Sequence, residues 1–107
     1  MRPQYQIILN TCPDRDSAIK IANILIEEEL AACVNIIPGL TSVYKWKGEL
    51  KTGTEVLLMI KTRATLYSQV ESRIQDLHDY ELPEILSVSI ERGLPPYLDW
   101  IDTSTGN

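Results

Sequence analysis

Residues 31–62, AACVNIIPGLTSVYKWKGELKTGTEVLLMIKT, contain the two longest runs of strand-forming residues in the chain, at 31–44 and 46–62. A short polar turn around residues 45–49 joins the two runs. Fully extended at ~3.3 Å per residue, each run would reach roughly 45–55 Å, whereas an ordinary strand measures about 17–20 Å. We therefore predict a long antiparallel hairpin that projects beyond the rest of the domain.

The first run of this hairpin is predicted to lie at an edge of a sheet. Pro38 lacks a backbone donor and, with Gly39, interrupts the run, which is tolerated in a bent edge strand. The second run, centred on residues 54–62, is almost continuously apolar, which is typical of a strand buried on both faces. A long, partly apolar edge over residues 32–43 promotes aggregation unless another chain covers it. We therefore predict a closed homo-oligomer built on this edge.

The segments on either side of the hairpin complete the order strand, helix, strand, strand, helix, strand. Asp14 is a suitable N-cap for the first helix, and Pro83 must follow the end of the second, because proline cannot continue a helix. Residues 102–107 are predicted to fray. We predict strands at 4–11, 32–44, 54–62 and 85–90, and helices at 14–29, from 62 or 65 to before 83, and from 95 or 96 onward.

This element order is that of the ferredoxin-like split βαβ fold, in the α+β class, with an antiparallel sheet and a short C-terminal helix. Right-handed crossovers place the first and third strands at the centre of the sheet and the second and fourth at its edges. A length of 107 residues suits one compact domain, residues 1–107, with a single core.

Charge and composition exclude several classes of partner. The net charge of −5 disfavours binding to the phosphates of nucleic acids. The first residues lack the apolar run of a secretory signal, and no later run is long enough to span a bilayer. We expect a protein that has neither membrane nor nucleic-acid partners and works in the cytoplasm, where Cys12 and Cys33 remain reduced thiols.

Residues 77–84, LHDYELPE, contain the only histidine of the chain together with three carboxylates and a phenol. His78 could bind a metal ion or act as an acid or base with Asp79, Glu81 or Glu84. Alternatively, a histidine at the end of a helix caps the last carbonyl groups. The carboxylates lack the spacing of a calcium loop, so a solvated turn is also consistent with the sequence.

The remaining candidates are two thiols and the aromatic residues of the hairpin. Cys33 lies inside a predicted strand, where it would pack as a small apolar residue. Cys12 precedes a helix N-terminus and is the better candidate for a lowered thiol pKa, with packing as the alternative. Tyr44 and Trp46 lie near the hairpin turn, a position where oligomer interfaces use large aromatic residues. The sequence has no Walker loop, GxSxG, HExxH or dinucleotide fingerprint, and we predict no catalytic residue.

Four motifs follow one another along the chain: LAACVNIIPG at residues 30–39, TSVYKWKG at 41–48, LHDYELPEI at 77–85 and YLDWI at 97–101. Together they closely resemble the CutA divalent-cation tolerance proteins, and the resemblance covers essentially the whole chain. It implies a ferredoxin-like subunit of a tight homotrimer, similar in architecture to the PII signalling proteins. It also implies a non-enzymatic role in tolerance to copper and other divalent cations.

The resemblance further implies two sites near clefts between subunits. A site for copper or another divalent cation would use His78, Cys33 and Glu81. An intersubunit cleft would be lined by Tyr44, Trp46, Lys61, Tyr80 and Glu84. The alternative function is a PII-like signalling module that binds a small anionic metabolite or a partner protein in this cleft.

Overall fold

The computed structural model describes residues 4–106. Its elements are strand β1 (Tyr5–Cys12), helix α1 (Arg15–Glu27), strands β2 (Cys33–Trp46) and β3 (Glu49–Arg63), helix α2 (Tyr67–Leu77), strand β4 (Ile85–Ile90) and helix α3 (Pro95–Ser104). The strands form one antiparallel sheet in the order β2-β3-β1-β4, with β1 and β3 at the centre as predicted. The prediction of a ferredoxin-like α+β fold is confirmed. Within the described range, no helix is long and apolar enough to cross a membrane.

Strands β2 and β3 form the predicted long hairpin. Lys47 and Gly48 connect them, and both have positive φ, 52° and 82°, as a two-residue type I′ turn requires. Strand β1 pairs with β3 only as far as Val56, so the hairpin continues beyond the sheet without a third strand. We call this projecting part, residues 40–55, the arm. The molecule accordingly extends 45 Å along its longest axis.

The interruption at Pro38 and Gly39 is a bulge within a continuous strand. The pairing register of β2 with β3 shifts between Ile37 and Leu40. Gly39 has a φ of +80°, in the left-handed region that glycine adopts without a steric penalty. The bulge therefore separates the part of β2 that belongs to the sheet from the part that belongs to the arm.

Helices α1 and α2 cover one face of the sheet and form the core with it. The buried residues of the helices have the predicted helical spacing and are Ala18, Ile21, Ala22 and Leu25 of α1 and Val70 and Ile74 of α2. They pack against alternate residues of the central strands, Ile8, Val56, Leu58 and Ile60. Asp14 caps α1 as predicted, accepting a hydrogen bond of 2.8 Å from the backbone N–H of Ser17. Helix α1 ends at Glu27 rather than at residue 29, because the φ of +58° at Glu29 cannot continue a helix.

The opposite face of the sheet lacks a comparable cover among residues 4–106 of the chain. We call it the open face; the strand register gives it Ile7, Leu9, Ile37, Leu57, Met59, Leu86 and Val88. Leu86 is 56% exposed and Val88 is 52% exposed. The prediction that residues 54–62 are buried on both faces is therefore wrong for a single chain, because both of the larger helices pack on the same side.

Helix α3 lies at one end of the open face, and hydrogen bonds hold its C-terminal end to the central strands. The Tyr5 hydroxyl donates a hydrogen bond of 2.7 Å to Asp102. The Arg63 side chain donates to the hydroxyl of the buried Thr105 over 2.8 Å and to its backbone oxygen over 2.7 Å. The prediction that residues 102–107 fray is therefore wrong for residues 102–105, because these bonds attach them to the central strands. Asn107 lies outside the described residues.

Candidate functional site

A groove of about 600 Å³ lies between the arm and the loop that follows α2. The arm contributes Ser42, Val43, Tyr44, Trp46 and Glu55 to its lining. The loop contributes Tyr80, Glu81, Leu82 and Glu84, and the end of β1 contributes Thr11. The strand register places Tyr44, Trp46 and Glu55 on the same side of the hairpin as the open face. The groove is therefore a continuation of the open face along the arm.

His78 and Asn10 attach the loop to the end of β1. Nε2 of His78 lies 2.7 Å from the backbone oxygen of Thr11, and Nδ1 lies 3.1 Å from the backbone nitrogen of Tyr80. Because a backbone N–H can only donate, Nδ1 accepts and Nε2–H donates to the Thr11 carbonyl. The buried Asn10 side chain donates to the backbone oxygen of Glu84 over 2.8 Å. Both ends of the loop are thus held by hydrogen bonds.

Tyr80 connects the loop to the arm. Its hydroxyl donates a hydrogen bond of 2.7 Å to Oε2 of Glu55, and its ring centroid lies 4.7 Å from that of His78. Burial and the neighbouring Glu55 carboxylate raise the pKa of Tyr80 well above its ordinary value. The phenol therefore remains a protonated donor, and the Glu55 carboxylate is held facing the groove.

The structure brings together most, but not all, of the residues predicted to line the cleft. Tyr44, Trp46, Tyr80 and Glu84 all line the groove, and so does Glu81, which was predicted as a metal ligand. Lys61 does not line it. Its Nζ lies 5.8 Å from the ring centroid of Tyr97 in α3, at the other end of the open face. Within one chain, Lys61 is therefore separated from the other predicted cleft residues, because α3 folds over the strand end where Lys61 lies.

The three predicted metal ligands do not converge in one chain. Cys33 lies opposite Lys61 of β3. His78 is bonded to Thr11, which lies opposite Leu57, four residues away from Lys61 along β3. At ~3.3 Å per residue, this separates Cys33 from the His78 end of the sheet by roughly 13 Å along the strands alone. Among residues 4–106, no group of three or more His, Cys, Asp or Glu could hold a metal ion. A metal ion at His78 would also have to replace one of its two hydrogen bonds, so the residues of one chain do not fit a resident metal.

Cys12 differs from its prediction in position and in acidity. It is the last residue of β1 and is fully buried, with Sγ 3.5 Å from the side-chain oxygen of Asn10. Burial raises the pKa of the Cys12 thiol to about 11, and nearby carboxylates such as Asp14 add to the shift. The suggestion of a lowered pKa is therefore wrong, because desolvation outweighs the nearby helix N-terminus. The packing alternative fits the structure.

Sequence reasoning missed Glu55, Asn10 and Thr11. Glu55 is the one carboxylate within residues 54–62, and Asn10 is a polar residue in an otherwise apolar part of β1, so each carried a weak signal. Their partners could not be inferred locally, because Asn10 bonds a residue 74 positions away and Glu55 bonds one 25 positions away. Only the three-dimensional packing of the loop against the arm brings these groups together.

The fold and the groove define a ferredoxin-like α+β protein with a projecting hairpin arm. The family model for CutA1 divalent ion tolerance protein matches residues 6–104. The chain belongs to this family. A crystal structure of CutA1 from the psychrotrophic bacterium Shewanella sp. SIB1 superposes with a TM-score of 0.95 at 37% identity, covering 100% of both chains.

Two curated relatives give the same assignment. The CutA homolog of Xenopus laevis is 52% identical over 91 residues, which are 85% of this chain and 60% of the relative. The divalent-cation tolerance protein CutA of Thermus thermophilus is 45% identical over 101 residues, which are 94% of this chain and 98% of the relative. The chain thus spans nearly the full length of the bacterial relative and 60% of the length of the frog relative.

The raised pKa of Cys12 leads us to expect a loss of stability at alkaline pH. Its thiol has an ordinary pKa of 9.0, which applies to the unfolded chain, and a pKa of about 11 in the folded protein. The unfolded state therefore releases the proton first, and the free energy of unfolding falls as the pH rises from 9 towards 11, by up to about 1.4 kcal/mol per pH unit. In urea denaturation at a series of pH values, we expect the free energy of unfolding of Cys12→Ala to fall less steeply with pH than that of the wild type. The Cys33→Ala variant should show the same fall as the wild type. An equally steep fall in Cys12→Ala would contradict the assignment.

Proposed function

We propose that this chain acts in the response to divalent cations as a homotrimer in the cytoplasm, without catalysing a reaction. Membership of the divalent ion tolerance family supports the cation response. The resemblance noted in the sequence supplies the number of subunits. Both cysteines are free thiols, which a reducing compartment maintains.

The observation that carries the assembly proposal is the orientation of β4. Leu86 and Val88 point to the open face, whereas Ser87 and Ser89 point to the side of the chain's own helices. A strand that packed only within its own subunit would have the reverse pattern. Contiguous apolar surface of this kind marks a contact with another molecule. Other copies of the same chain are the partners that we propose for it.

A second feature extends the surface available to a neighbouring chain. On α3, Tyr97 is 40% exposed and Trp100 is 44% exposed, and their ring centroids lie 5.4 Å apart with the rings tilted by 43°. On the arm, Val43 is 65% exposed. Aromatic residues and projecting hairpins are common in oligomer interfaces. We propose that the arm of one subunit contacts the next, so that a closed ring leaves no open face exposed.

We further propose that a cation is held by groups from more than one subunit, with copper as the cation that the resemblance implies. Cys33 and Glu81 are the ligands that this chain would contribute. Cys33 is half-buried on the open face, and thiols are suitable ligands for copper. His78 instead supports the loop, because both of its ring nitrogens bond to backbone groups.

A PII-like module that binds a small anionic metabolite has weaker support. Glu55, Glu81 and Glu84 line the groove, and their charge repels an anion. Lys61, the group that would neutralise such a ligand, lies beneath α3. We therefore do not extend the proposal to an anionic metabolite.

Val88→Asp tests the assembly on the open face. An ionised carboxylate in an apolar interface costs several kcal/mol, so we expect this variant to sediment as a monomer in velocity centrifugation. Ser89→Asp is the matched control, because Ser89 is exposed on the other side of the same strand. It should sediment like the wild type. If Val88→Asp keeps the wild-type sedimentation coefficient, the open face is not the interface.

His78→Ala separates a ligand role from a structural one. The substitution leaves the Thr11 carbonyl and the Tyr80 N–H without their partner, so we expect the free energy of unfolding to fall by about 1–3 kcal/mol. We expect the heat of Cu(II) binding in calorimetry to stay at the wild-type value, and Cys33→Ser to reduce it. Loss of the Cu(II) heat in His78→Ala at unchanged stability would identify His78 as a ligand.

A further inference from the structure

Three aromatic residues give the groove surfaces that attract cations. Tyr44 is 49% exposed, and Trp46 and Tyr80 are half-buried. The faces of such rings carry partial negative charge and bind ammonium groups. The apolar side chain of Leu82, with 70% of its surface exposed, accompanies them. The lining can therefore contact both the charged head and the alkyl body of a ligand.

Three carboxylates give the same groove a negative charge. Glu81 and Glu84 come from the loop and are exposed, and Glu55 comes from the arm. The bond of 2.7 Å from the Tyr80 hydroxyl orients Glu55. No lysine or arginine is among the lining residues in the part of the chain that the structure describes. The whole chain also carries a net charge of −5, so its field adds to the local one.

Lys47 provides an example, within the chain, of an ammonium group in contact with an aromatic ring of the groove. Its ammonium nitrogen lies 5.8 Å from the ring centroid of Trp46. Lys47 is an exposed residue of the arm's turn, so its side chain can move away from the ring. The contact indicates that Trp46 accepts an alkylammonium group and makes Lys47 a competitor for any other cation at this ring.

We propose that the groove binds a small organic ammonium ion, a primary or quaternary amine with a short alkyl body. Its volume of about 600 Å³ suits a small molecule. A metal ion fits less well, because the described residues do not gather three ligands in one chain. The proposal goes beyond the function proposed above, since it assigns an organic ligand and no metal site. It requires that the groove stays open in the assembled protein.

The direct test is calorimetric titration of the purified full chain, in its native assembly, with 1,5-diaminopentane and with tetramethylammonium. We expect saturable binding of at least one of them, with a Kd on the order of 1 mM or tighter. Succinate, a dianion of similar size, should give no saturable heat. The proposal is overturned if neither ammonium ion binds or if succinate binds as tightly. If a neighbouring subunit fills the groove, neither ammonium ion binds, and the proposal is overturned in the same way.

Matched variants locate the binding in the groove. Trp46→Leu removes the ring and should weaken binding by about 2- to 30-fold, whereas Trp100→Leu, on α3, should leave it unchanged. Glu81→Gln should also weaken binding. Glu91→Gln removes the same charge beyond the far end of β4 and should have little effect. Equal effects of Glu81→Gln and Glu91→Gln would show a general charge effect and overturn the proposal.

Lys47→Asn supplies a variant that should bind more tightly. It removes the competing ammonium group from Trp46, while asparagine tolerates the positive φ of this turn position. Thermal melting of each variant verifies that it is folded. If Trp46→Leu does not fold, Glu84→Gln takes its place, with the same expectation of weaker binding. Unchanged affinity in the folded groove variants would contradict the assignment.

Discussion

The antiparallel pairing of β3 with both β1 and β2 is the constraint on which the rest of the structure depends. It sets Ile60 opposite Ile8 and Leu58 opposite Asn10, with all four side chains towards the helices. A shift of one residue would exchange the buried and open faces of the sheet. The same strand continues beyond β1 as one half of the arm, so its register fixes the core, the open face and the groove together. The site therefore depends on the same pairing that makes the fold stable.

Much of this fold could be predicted because its signals are local. Strand and helix periods, the Asp14 cap, the Pro38 interruption and the polar hairpin turn each act through neighbouring residues, and the structure has all of them. The failures involve distant partners. Residues 102–107 looked frayed because they form a short polar run, but Asp102 and Thr105 bond Tyr5 and Arg63 across the chain. The burial of both faces of β3 was overestimated because an apolar run does not reveal whether a second layer comes from the same chain.

In the candidate site, too, local sequence signals were informative and contacts between distant residues were not. The sequence drew attention to residues 77–84 and to the aromatic residues of the arm, and the structure places them around one groove. It could not place Lys61 beneath α3, nor identify Glu55 as the acceptor for Tyr80, because both contacts follow from tertiary packing. It left His78 open between a metal ligand and a helix cap. In the structure, both ring nitrogens of His78 bond to backbone groups and support the loop that forms one wall of the groove. The groove's carboxylates and rings favour a positively charged ligand.

The mass of the native protein tests most directly whether the open face is a subunit interface, as we propose. One chain has a mass of 12.1 kDa. Native mass spectrometry of the wild-type protein at low micromolar concentration should give a single species of three times this mass. A predominant species of 12.1 kDa would contradict the account, because the apolar residues of the open face would then remain in contact with water.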